Sequence, residues 1–114
     1  MKQFTTPEQT AKLIELGFEK PKSMNGEYNG WQFMPTPAYS IGELIEMLPK
    51  KIVSDMDDEY ADEYSYLQIE ESWDVCYING LYAADKIIHS KELIDALYNM
   101  LINLKEEGVI CGKQ

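Results

Sequence analysis

The sequence predicts an α+β fold in which a small antiparallel sheet, made of a hairpin and a short edge strand, packs against three helices. Three observations lead there. Two stretches place a capping-box spacing ahead of apolar residues at helical intervals, and a third, longer run of helical period ends on a glycine. Between the second and third, residues 64–69 and 73–78 are rich in aromatic and β-branched side chains and are separated by a polar trio. With 114 residues, 45% of them hydrophobic, the chain suits one domain around one core, and no repeat or linker divides it.

The first helix has Thr6 as N-cap, Pro7 at its first position, Gln9 three residues after the cap and Gly17 to close it, with Ala11, Leu13, Ile14 and Leu16 as apolar residues. Residues 18–39 carry Pro21, Gly26, Gly30, Pro35 and Pro37, which exclude a long helix. Only 31–34 reads as a strand there, placed at a sheet edge by the prolines that follow it. A second helix starts at Ser40, pairs that cap with Glu43, shows Ile41, Leu44, Ile45 and Leu48 on one face, and stops at Pro49. The acidic run that follows, Asp55, Asp57, Asp58, Glu59, Asp62 and Glu63, reads as a solvated loop.

For the hairpin, a two-residue loop at Glu71 and Ser72 would demand positive φ from both and would set Leu67 and Ile69 opposite Cys76 and Asp74. A three-residue loop pairing Ile69 with Trp73, Leu67 with Val75 and Ser65 with Tyr77 gathers the apolar residues on one face and is the expected register. Asn79-Gly80 marks a turn, and the segment from there to Ile88 is ambiguous. The last helix is expected to be capped by Ser90 and closed by Gly108, with Leu93, Leu97, Met100, Leu101 and Leu104 as its core stripe. Ile94, Tyr98 and Ile102 widen that stripe round the side. Two readings fit this flank: another element of the fold covers it, or it is an interaction surface for a partner or for a second copy in a homodimer.

Charge narrows the function classes. Ten lysines, no arginine and twenty acidic residues give a net charge of -10, so most of the surface repels a phosphate backbone and lacks the guanidinium that reads it best. Direct nucleic-acid binding is therefore not expected. Cys76 and Cys111, 35 positions apart, read as free thiols of a reducing compartment; with no signal-like or membrane-spanning apolar run, the expected location is cytoplasmic.

Catalytic and metal patterns are weak. His89 is the only histidine, and its neighbours Ser90 and Asp85 are explained by capping and exposure better than by a hydrolase triad. Asp55, Asp57 and Glu59 alternate as in a calcium loop, but Tyr60 stands where glycine is needed and Tyr66 where a bidentate glutamate is needed. One histidine and two distant cysteines make a poor zinc set. Glu70, Glu71 and Asp74 crowd the hairpin tip, where carboxylates are normally solvated. No cofactor or metal is expected, and an enzyme is the weaker class. The acidic run, interleaved with tyrosines, also fits a decoy that occupies a basic groove as phosphates would.

Three stretches, FTTPEQTAKLIELGFEKP (4–21), AYSIGELIEMLPKK (38–51) and ELIDALYNMLINLKEEGVI (92–110), resemble a family of small uncharacterised proteins carried by phages, prophages and mobile elements of gut anaerobes. They cover nearly half of the chain. The resemblance implies an accessory gene and brings no catalytic or binding residues to carry over. The expectation that results is a non-enzymatic accessory protein acting through protein–protein binding, with an acidic nucleic-acid-mimicking inhibitor as the first alternative and an enzyme with an unrecognised site as the second.

Overall fold

The computed structural model describes residues 3–25, 28–29, 32–33, 36–54, 63–70, 74–79 and 83–109. Helix α1 (Pro7–Glu15) begins as its cap dictates: the Thr6 hydroxyl accepts from the Gln9 amide at 3.1 Å, and the Gln9 side chain accepts from the Thr6 amide at 3.0 Å. It ends in a Schellman turn, in which Phe18 N–H donates to the Leu13 carbonyl and Gly17 N–H to that of Ile14. Gly17 adopts φ 100°, which a side chain would oppose, and the turn folds Phe18 back into the core.

Between the first two helices the described residues form four short strands. β1 (Ser23–Asn25) pairs antiparallel with β4 (Thr36–Ala38), and β2 (Tyr28–Asn29) pairs with β3 (Gln32–Phe33), the second hairpin lying inside the first in chain order. The expectation of a single strand at 31–34 is corrected: each strand here is two or three residues long, too short for alternation to be read. Pro37 sits opposite Met24 in a two-stranded ladder, where its missing N–H interrupts no inner pairing. Helix α2 (Ile41–Met47) has the predicted Ser40–Glu43 capping box, and Leu48 is extended before Pro49.

The main sheet is a four-stranded antiparallel meander in the order β5 (Lys51–Val53), β6 (Tyr64–Ile69), β7 (Asp74–Asn79), β8 (Ala83–His89). β5 had no strand signal beyond Ile52 and Val53, and β8 is the segment that read as ambiguous. The hairpin register differs from the expected one: Leu67 pairs with Tyr77 and Ile69 with Val75, a slide of two residues. Such a slide keeps every side chain on its face, so face-matching cannot choose between the two. The observed register brings Asn79 beside Ser65, whose hydroxyl accepts from the Asn79 amide at 3.2 Å. An irregularity between Tyr77 and Ile78 marks where the register along β8 steps past Asp85. Ser65 donates to the Asp85 carboxylate at 2.9 Å, so a small polar network occupies this end of the inner face.

Helix α3 (Leu93–Glu106) starts later than expected. Its N-cap is Glu92, with no side-chain capping bond, and the Ser90 hydroxyl instead accepts from the Glu92 amide at 3.4 Å. The reason is the strand before it: His89 still pairs with Asp74, which holds the chain extended up to Ser90. Asp95 in the first turn complements the helix dipole and accepts from Gln9 Nε2 at 2.9 Å, tying α3 to α1. Gly108, with φ 76°, closes the helix in a second Schellman turn.

All three helices contribute to one core with the inner face of the sheet: Leu13, Phe18, Leu44, Leu48, Ile52, Val75, Tyr77 and the α3 residues Leu93, Ile94, Leu97, Met100, Leu101 and Leu104. Ile94 is fully buried. The flank is thus corrected as an interaction surface at this residue, because the core covers it; Tyr98 and Ile102 pack against the same core and are half-buried.

Candidate interaction surface

The helices cover one face of the β5–β8 sheet, and the period of two sends the alternate residues to the other. Pairings place Val53 beside Tyr64, Lys51 beside Tyr66, Tyr66 beside Ile78, and Cys76 between Gln68 and Ile87. These residues form the outer face. Large apolar groups stand in water there: Val53 is 67% exposed, Tyr66 53% and Ile87 56%. With neighbouring strands about 4.8 Å apart, this patch crosses about 14 Å from β5 to β8. Exposed apolar groups gathered on one sheet face are the kind of feature that marks an interaction site.

Charge is confined to the borders of this face. Glu70 is exposed at the turn end of β6, and Asp74 sits at the corner, where its Oδ1 lies 2.5 Å from Nδ1 of His89; Glu63, exposed at the other end of β6, has the inward parity of Ser65. The Lys51 ammonium lies 4.2 Å from the centre of the Tyr64 ring, a cation–π contact on the same face. Cys76 is wholly buried although it belongs to the outward set, and its thiol lies 3.4 Å from the Gln68 carbonyl. Burial, with the carboxylates of Glu70 and Asp74 nearby, pushes the thiol's pKa up and keeps it protonated and unreactive.

Of the residues singled out from sequence, Asp55, Asp57, Asp58, Glu59 and Asp62 lie outside the described residues, as do Glu71, Trp73 and Cys111. Glu63 is exposed, and its carbonyl accepts from the Ser54 amide at 2.9 Å, closing the base of the β5–β6 connection. His89 is exposed and engaged with Asp74, while Ser90 is engaged with the Glu92 amide, so neither is set up as nucleophile and base. Among the described residues no group of three His, Cys, Asp or Glu side chains is placed to hold a metal ion, and no helix is long and apolar enough to cross a membrane.

A second feature is a cavity of about 190 Å³ between the segment that follows α1 and helix α2, lined by Phe18, Tyr39, Met47, Glu43, Lys20 and Lys22 among others. Two of its polar side chains, Tyr39 and Glu43, are committed to the fold. Burial, followed by the charges of Glu43 and Glu19, raises the Tyr39 phenol to about 12, and its hydroxyl donates to the Glu19 carbonyl. Burial would raise Glu43, but hydrogen bonds from Ser23, the Lys22 amide and both donors of Ser40 outweigh it and hold the carboxyl below its usual range.

The exposed residues Val53, Tyr66 and Ile87 were not found by sequence reasoning. The available signal was that the hairpin strands are apolar at both parities, with Tyr66, Cys76 and Ile78 interleaved among Leu67, Val75 and Tyr77. Compared with protein-family models, with curated proteins and with solved structures, the chain matches none.

Proposed function

We propose that this chain is a non-enzymatic protein-binding module whose interface is the outer face of the β5–β8 sheet. The observation that carries this reading is that Val53, Tyr66 and Ile87, on three of the four strands, are each more than half exposed on that face. Burying them would release apolar surface from water, worth roughly 25 cal/mol per Å². Among the described residues, Glu43 caps α2, His89 and Asp74 bond each other, and Glu63 and Glu70 are exposed. The resemblance to accessory proteins of phages and mobile elements supports a host-directed or phage-directed partner.

Site-specific photo-crosslinking in the native host tests the reading. A photoreactive residue at position 66 or 87 is expected to give an adduct with one defined polypeptide, and one at Glu8, on the exposed side of α1, to give none. Adducts from Glu8 with silence at 66 and 87 would remove the outer face as the interface.

A further inference from the structure

We infer that the occupant of the outer sheet face is a basic protein surface with an apolar centre, and not a second copy of this chain. This rests on the binding role proposed above and names the chemistry of its partner. The face carries Tyr66 and Ile78 on its two inner strands and Ile87 on the β8 edge, and it is acidic at the end where β6 turns into β7, where Glu70 stands exposed near Asp74, itself bonded to His89. Its cation, Lys51, is already drawn onto the ring of Tyr64 at 4.2 Å. The neighbouring Tyr66 ring is half in solvent and offers the same electron-rich surface to a lysine or arginine from outside. Lys51–Tyr64 is thus an internal copy of the contact a basic partner would make.

The whole molecule points the same way. A net charge of -10 steers a cationic protein toward the chain, whereas two copies would bring -10 against -10 with no arginine to bridge them. An acidic end beside exposed apolar groups specifies the inverse pattern on its partner: basic residues next to aromatic or aliphatic ones.

Peptide display on the intact protein tests this, with counter-selection on the double variant Tyr66→Ser, Ile87→Ser, both exposed positions whose replacement leaves the core untouched. The circular dichroism spectrum and melting midpoint of that variant verify that it folds. Selected peptides are expected to carry Lys or Arg around an apolar residue, and to lose about tenfold or more in affinity on the double variant. Their binding is also expected to weaken several-fold when salt is raised from about 0.05 to 0.5 M, and on Glu70→Gln. Neutral or acidic peptides that need the face and ignore salt would overturn the basic partner while leaving the binding face standing. No peptide sensitive to the double variant would remove both. A dimer in sedimentation that Tyr66→Ser, Ile87→Ser dissociates would show the occupant to be a second copy and overturn this inference.

Discussion

Tyr39 buries its ring in the core and donates its hydroxyl to the Glu19 carbonyl, and the same burial makes its anion costly. Because its pKa is raised from 10.0 to about 12 in the fold, the unfolded chain loses this proton first as pH rises. Its contribution is fully present below pH 10 and disappears as pH climbs through about 12, at most about 3 kcal/mol. Tyr77, buried with its hydroxyl donating to the Pro49 carbonyl, is shifted the same way by desolvation and adds to the loss. Urea midpoints measured from pH 8 to 12 should fall for the native chain and fall less for Tyr39→Phe, which should itself cost about 1 kcal/mol at pH 8. Glu43 has the opposite sign. Its carboxyl is held below the ordinary 4.5, so the stability it confers is present above that pH and is lost as pH falls beneath it. Glu43→Gln keeps a side chain able to cap but removes the charge, and the same titration between pH 7 and 3 should show a shallower acid limb in this variant.

At the level of elements, the ends of the helices explain most of the local structure. Two capping boxes and two Schellman turns satisfy backbone groups that each helix leaves open, and each is built from residues close in sequence. Gly17 gives a clean test, since no atom lies within 4 Å of where a Cβ would stand and only its φ of 100° opposes a side chain. Gly17→Ala should cost about 1 to 2 kcal/mol in equilibrium unfolding, and Gly17→Asn less, because asparagine tolerates the left-handed region better. Equal stability of Ala and Gly at this position would mean the turn opens in solution. On the strands, Lys86 faces the inner side next to Tyr77 and reaches out to pair with Glu107 just past α3, while Ser65 donates to Asp85 and accepts from Asn79. These polar links set where β8 can lie beneath α3, and no periodic signal announces them.

Across the whole molecule, the sheet has a covered face and an open one, and substitutions should divide accordingly. Ile94→Ala, inside the core, should lower stability by about 2 to 5 kcal/mol. Ile87→Ala, more than half exposed on the open face, should change it by no more than about 0.5 kcal/mol. Chemical denaturation of the two variants checks this contrast. If Ile87→Ala proved as costly as Ile94→Ala, the outer face would be part of the fold and could not serve a partner.

The boundaries of α1 and α2, the end of α3 and its core stripe follow from residues three or four apart, where caps, glycine turns and apolar spacing act within a turn or two of helix. Those are legible in one chain because the interacting groups are neighbours. The strand of β8, the slide of the β6–β7 register, the displaced start of α3 and the fate of Ile94 were settled by contacts between distant segments. An apolar residue at a given spacing says that something covers it without saying what. Ile94 found that cover in the packed core and Ile87 did not, and only the assembled sheet and helices distinguish the two, because burial depends on what else occupies the space.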